Sequence, residues 1–237
     1  MQVVLDWLYE QKFYLILAVA SLFGYFWLSE CKTKLNITGW QAMLLSILNT
    51  VFGMVCVKFF AFLEGEPGGM SLFGGVFFLP IFYYIGAKLT KRRVSDVCDA
   101  FALCTIFTVM CSRINCLIAG CCGGTVIPGT DDIRWPTQVM EMVFYILLMI
   151  YLGRKMGKPG MRGKIYPMYL MSYGVFRFLL EFLREKEIQS LFHLSHLWAV
   201  IAVIAGYYFY HRQTDGKKGK NGHYHDLKIT GKEKGGN

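Results

Sequence analysis

The chain has 237 residues, 54% of them hydrophobic and only 17% charged, with a formal net charge of +9. That is far more apolar than an ordinary soluble domain. A cationic excess spread between long apolar runs describes a protein face beside anionic lipid, and it excludes nucleic acid as the expected partner.

Seven apolar runs, at 13–28, 40–63, 71–87, 97–119, 137–153, 165–182 and 195–210, use up nearly the whole chain. Crossing the hydrocarbon takes about 20 helical residues. The expected architecture is therefore all-α: a polytopic membrane protein whose single seven-helix transmembrane domain covers 1–212, followed by a basic, disordered tail over 213–237. The runs at 71–87 and 195–210 are also compatible with re-entrant segments. Lysine and arginine alternate in step with the runs. Lys32 and Lys34, then Lys88, Lys91, Arg92 and Arg93, then Arg154, Lys155, Lys158, Arg162 and Lys164, then Arg212, Lys217, Lys218 and Lys220 fall on one side. Lys12, Arg134, Arg184 and Lys186 are the sparse cations of the other. The positive-inside rule then places the N-terminus outside and the C-terminus in the cytoplasm. The acidic start, with Asp6 and Glu10, does not read as the n-region of a cleavable signal peptide.

In chain order, the first helix carries Tyr14 and Tyr25 near its two ends, the usual place of interfacial aromatics. Lys58 in the second lies close enough to an end to snorkel. A short acidic, Gly-rich loop (Glu64 to Met70) leads to Ser71-Leu-Phe-Gly74-Gly75, where paired glycines permit close helix packing or close approach of a ligand. Pro80 should kink the third helix. The fourth contains Arg113 and is followed by Gly120, Gly123 and Gly124. A guanidinium near the bilayer costs about 2.5–3.5 kcal/mol on insertion scales, so it normally faces a protein interior and a partner. A fixed cation beside a Gly-rich helix end suits a phospholipid phosphate. After a loop of turn residues, Pro136 is placed to open the fifth helix. Thr137 and Gln138 could merely complete its end, and Glu141 could lie at the interface or serve as a buried counter-ion. In the sixth helix Arg177 and Glu181 stand four apart and share a face, with Arg184 continuing it. His193 and His196 mark the outer edge of the seventh.

Four of the eight cysteines, Cys111, Cys116, Cys121 and Cys122, cluster around Arg113. Their spacing departs from the Cys-x2-Cys pattern of zinc sites, so no metal and no cofactor are expected, and the thiols read as small buried hydrophobes. Nothing adjacent in sequence would activate a thiolate. There is no Walker, dinucleotide or Gly-x-Ser-x-Gly pattern, and no inverted repeat of the transporter kind.

Three segments, in order, resemble bacterial prolipoprotein diacylglyceryl transferase. Ser112-Arg-Ile-Asn-Cys-Leu-Ile-Ala-Gly-Cys-Cys-Gly-Gly124 is similar to that family's Gly-Arg-Ile-Gly-Asn-Phe signature with its following glycines. Pro136-Thr-Gln-Val-Met-Glu141 is similar to Pro-(Ser/Thr)-Gln-Leu-Tyr-Glu, and Tyr173-Gly-Val-Phe-Arg-Phe-Leu-Leu-Glu-Phe-Leu-Arg184 to Tyr-Gly-x-x-Arg-x-x-x-Glu-Phe-x-Arg. The resemblance implies transfer of diacylglyceryl from phosphatidylglycerol to the lipobox cysteine of a prolipoprotein, in the bacterial cytoplasmic membrane. It implies catalytic roles for Arg113, Arg177, Glu181 and Tyr14. Substrate contacts would come from Arg113, Gly120, Gly124, Gln138, Glu141, Arg184, Gly74 and Gly75. The chain departs from the family at Phe73, where a histidine is usual, at Cys116 and at Met140. The alternative is thus a diverged relative that binds an anionic phospholipid or modifies another acceptor.

Overall fold

The computed structural model describes residues 12–31, 35, 37–65, 70–89, 91–130, 133–184 and 194–215. The acidic start, Lys32, Lys34, residues 66–69, Lys186, His193 and the tail beyond 215 lie outside them. The described residues form seven helices: α1 (Lys12–Glu30), α2 (Gly39–Leu63), α3 (Leu72–Leu89), α4 (Val94–Ala119), α5 (Thr137–Lys155), α6 (Ile165–Glu181) and α7 (Leu194–Asp215). They follow the seven apolar runs closely. The main difference is α7, which continues five residues past the expected 210, so that 213–215 are helix and not tail.

Local chemistry sets the boundaries. α2 starts at Thr38, whose hydroxyl accepts from the Gln41 amide while the Gln41 side chain accepts from the Thr38 amide. This reciprocal pair satisfies two donors that a helix start otherwise leaves open. α3 runs unbroken through Pro80. Pro136 is the N-cap of α5, one place before the expected first turn. α4 ends at Gly120, whose left-handed φ of 66° lets its amide fold back onto the Cys116 and Leu117 carbonyls, the usual way a glycine closes a helix.

α4 is the hub, touching α1, α3, α5 and α6, while α7 packs chiefly on α6. Small residues make the closest helix approaches. A Cβ on Gly74 would meet the Cys56 carbonyl of α2, and one on Gly174 would lie 2.6 Å from the Ala199 carbonyl of α7. The core around α4 is aromatic, with Tyr83 stacked on Phe101 at 4.7 Å. Large apolar side chains such as Leu22, Phe26, Val55, Leu147, Leu179 and Ile204 face outward. Three helices, α2, α4 and α5, are long and apolar enough by themselves to cross a membrane.

At one end of the bundle, Asp99 of α4 accepts hydrogen bonds from the amides of Gly163 (2.6 Å) and Tyr166 (2.9 Å). A buried carboxylate thereby caps the start of α6, where the helix dipole also favours negative charge. Asp96 and Arg162 pair beside it. At the opposite end the segments 121–130 and 133–136 are tied to each other and to the end of α6: Gly124 donates to the Trp135 carbonyl (3.0 Å) and Thr125 to that of Leu183 (2.8 Å). That end holds the site.

Candidate functional site

A cavity of about 940 Å³ opens between α1, α2, α3, α4, α6 and the start of α7, on the side of Cys121 and Cys122. Its walls are apolar over much of their length, with Asn49, Thr50, Thr105 and Thr108 among the polar exceptions, and its charged and thiol groups include Arg113, Arg177, Glu181, Arg184, Cys116, Cys121 and Cys122. A large apolar chamber with a few convergent polar groups is the form of a ligand site.

Two arginines from different helices meet on one carboxylate there. Arg113 Nε lies 2.6 Å from Glu141 Oε2, and Arg177 Nη1 donates to Glu141 Oε1 at 3.1 Å. Arg177 Nη2 also pairs with Glu181 at 3.1 Å, and Arg184 reaches the same carboxylate at 3.8 Å. All but Arg184 are buried. Glu141 is thus the counter-ion, not an interfacial residue. Among the described residues this network sets three guanidiniums against two carboxylates, which leaves one excess positive charge. Arg113 stands six residues before the end of α4, about 9 Å below it.

The remaining residues anticipated for the site divide. Gln138 is buried and outside the cavity wall; its Nε2 donates to the Cys121 carbonyl at 2.6 Å, while Thr137 donates to that of Cys122 at 2.8 Å. The helix start therefore holds the cysteine loop. Gly75 borders the cavity, but Gly74 is spent on contact with α2. Gly120 serves the left-handed helix end. Gly124 admits the backbone of Trp135 and Leu183, either of which a side chain would strike. Tyr14 is two-thirds exposed on α1 and is not part of the cavity wall. His196, expected at the outer edge of the seventh helix, is buried against Phe178 and Phe182.

Phe73 is buried in the cavity wall, its ring 5.8 Å from the Arg177 guanidinium, a distance at which the ring face attracts the cation. Composition gave no sign of the tyrosines behind it. Tyr145, Tyr169 and Tyr173 are fully buried, and their hydroxyls have no hydrogen-bond partner among the described residues. Their helical spacing reads as core; only the folded neighbourhood shows them beside the arginines.

The thiols also differ from expectation. Cys116, Cys121 and Cys122 bring their sulfurs within 4.8 Å of one another, because α4 turns sharply at Gly120 and Cys122 itself is left-handed, with φ 61°. Arg113 Nη1 approaches Cys116 Sγ at 3.8 Å. A hydrogen bond from Cys116, helped by the charges of Arg184 and Arg113, holds the Cys122 thiol well below the ordinary thiol range. The activating cations absent next to Cys122 in sequence are thus supplied by the fold.

The profile of one family, described as prolipoprotein diacylglyceryl transferase, matches residues 11–212. Relatives named phosphatidylglycerol–prolipoprotein diacylglyceryl transferase include one from Mannheimia succiniciproducens, 32% identical over 136 residues (52% of this chain, 49% of the relative). One from Oleidesulfovibrio alaskensis is 31% identical over 140 residues (55% and 51%). One from Escherichia fergusonii is 28% identical over 154 residues (52% and 53%). The chain spans about half the length of the curated relatives it matches.

Proposed function

Because this chain belongs to the prolipoprotein diacylglyceryl transferase family, and is with it a multi-pass membrane protein, we propose that it transfers diacylglyceryl from phosphatidylglycerol to the lipobox cysteine of a prolipoprotein. A thioether forms and glycerol phosphate leaves. The observation that carries this reading is the junction of Arg113 and Arg177 on Glu141 at the polar end of a lipid-sized cavity. The single excess charge of that network matches the single negative charge of a phosphodiester.

In the transfer, the acceptor sulfur attacks the glyceryl carbon, the carbon–oxygen bond breaks, and its electron pair remains on the phosphate. The phosphate gains charge as it departs. Arg113 and Arg177 are fixed where that charge grows, in surroundings that screen it poorly, and Glu141 and Glu181 hold both guanidiniums in place. Arg184, the half-buried member, adds a third positive contact nearer the mouth. The apolar walls take the acyl chains.

Seven crossings, an outer N-terminus and a cytoplasmic C-terminus complete the reading, with residues 1–212 as the membrane domain, 213–237 as a basic tail, and the bacterial cytoplasmic membrane as the location. Activity of an alkaline phosphatase fused after Asn237 would reverse that orientation. Phe73 favours one second reading, a relative that holds the anionic lipid without transferring it, since phenylalanine can neither take nor give a proton.

The test is to incubate the purified chain with phosphatidylglycerol vesicles and a lipobox peptide, and to follow the thioether product by mass. Product should form, and Arg113→Ala or Arg177→Ala should each lower the rate by at least about 100-fold, the scale for removing one preorganised charge-stabilising donor. Lipid binding without product would favour the second reading. Wild-type rates in both variants would remove the arginines from the site.

A further inference from the structure

The three clustered thiols border the arginine network, with Arg113 Nη1 3.8 Å from Cys116 Sγ, yet the transfer described above gives them no role. Their sulfurs lie within 4.8 Å of one another, and none is in a disulfide. Zinc–sulfur bonds of about 2.3 Å place ligand sulfurs about 3.8–4.0 Å apart, so closure on one ion needs movements of about 1 Å or less. The loop is also built to hold them. Cys122 keeps a left-handed backbone that a residue with a Cβ adopts only when its surroundings impose it. The Cys121 and Cys122 carbonyls are both tied to the first turn of α5, and Cys116 is fixed in the last turn of α4.

All three residues line the same cavity as Arg113 and Arg177. Three thiolates around a divalent ion carry one net negative charge, and Arg113 Nη1, 3.8 Å from Cys116 Sγ, donates to that sulfur. Three protein ligands with a fourth position open is the arrangement of catalytic zinc, whereas structural zinc is closed by four. Coordination strips the proton from a thiol outright, and the thiolate is the nucleophile.

We propose that Cys116, Cys121 and Cys122 form a three-thiolate zinc site whose fourth position, facing the lipid cavity, takes the acceptor cysteine as its thiolate. This rests on the transferase reading above. The acceptor thiol loses its proton to water on binding the ion. Its sulfur then forms a bond to the glyceryl carbon, the carbon–oxygen bond breaks, and the electron pair leaves on glycerol phosphate beside Arg113 and Arg177. The resulting thioether is a poor ligand and departs. A bound zinc thus removes the need for a protein base at the position of Phe73.

The full-length chain, purified under reducing conditions, should bind one zinc. Cobalt in its place should show sulfur-to-metal charge transfer and tetrahedral bands. Cys116→Ser, Cys121→Ser and Cys122→Ser should each weaken the affinity at least tenfold, and Cys98→Ser, in the far half of α4, should not. Phosphatidylglycerol binding by the three serine variants keeps misfolding separate from ligand loss. Chelation should lower transfer about 100-fold, with zinc restoring it. Absence of zinc binding by the reduced chain overturns the proposal, as does transfer unaffected by chelation, which leaves the transferase reading intact. One zinc held by the three thiols, with no thioether formed from any lipobox peptide, upholds the metal site and rejects the transferase reading with its acceptor step.

Discussion

Replacing Glu141 with glutamine tests the centre of the site with almost no change of shape. Glu141 is 2% exposed and holds Arg113 Nε at 2.6 Å and Arg177 Nη1 at 3.1 Å. Glutamine removes the charge and leaves two guanidiniums facing each other, with only Glu181 to balance Arg177 and Arg184. Removing one partner of a buried pair destabilises by about 3–5 kcal/mol, because the other charge stays buried. At about 2–4 °C per kcal/mol for a chain of this size, the unfolding midpoint should fall by roughly 6–20 °C. Thermal unfolding in detergent, followed by tryptophan fluorescence, reads the shift. Transfer should fall with it by at least about 100-fold, since both cations lose their anchor. A midpoint within a degree or two of the parent, with unchanged transfer, would show that Glu141 does not bind the two arginines together and that the network's charge is not what holds the phosphate.

Two further substitutions test the frame around the site. Asp99→Ala leaves the Gly163 and Tyr166 amides without their acceptor, and at about 1–3 kcal/mol for each buried unsatisfied group unfolding should shift down by about 2–6 kcal/mol; an unchanged denaturation curve would show that water replaces the carboxylate. Gly74→Val drives a side chain into the Cys56 carbonyl and Phe60 of α2 and should abolish accumulation of folded protein, whereas Gly75→Ala meets only ordinary contacts at 3.7 and 3.8 Å and should fold as the parent does. Equal yields of the two variants would remove the packing role of Gly74.

Helix positions were legible because each depends on a continuous apolar run, and an apolar run has few ways to satisfy its backbone in lipid other than by forming a helix. The Arg177–Glu181 pair was legible for a similar reason: a four-residue spacing puts two side chains on one helical face wherever the helix goes. Gln138 was assigned to the substrate although its hydrogen bond goes to the Cys121 carbonyl, seventeen residues away. Gly74 and Gly75 are chemically identical in sequence, and only the approach of α2 separates the packing glycine from the one beside the cavity. The resemblance implied a catalytic role for Tyr14, but it is exposed on α1 and does not line the chamber.

By itself the sequence determined an all-helical, membrane-suited chain, the order of its elements, and the unusual arginines, since all of these follow from local composition and helical period. Tertiary structure alone decided that Glu141 joins Arg113 to Arg177 across helices, and that a left-handed turn gathers three thiols whose spacing matches no metal motif. Both depend on distances between elements, set by how helices pack and where a loop doubles back, which no periodicity along the chain encodes.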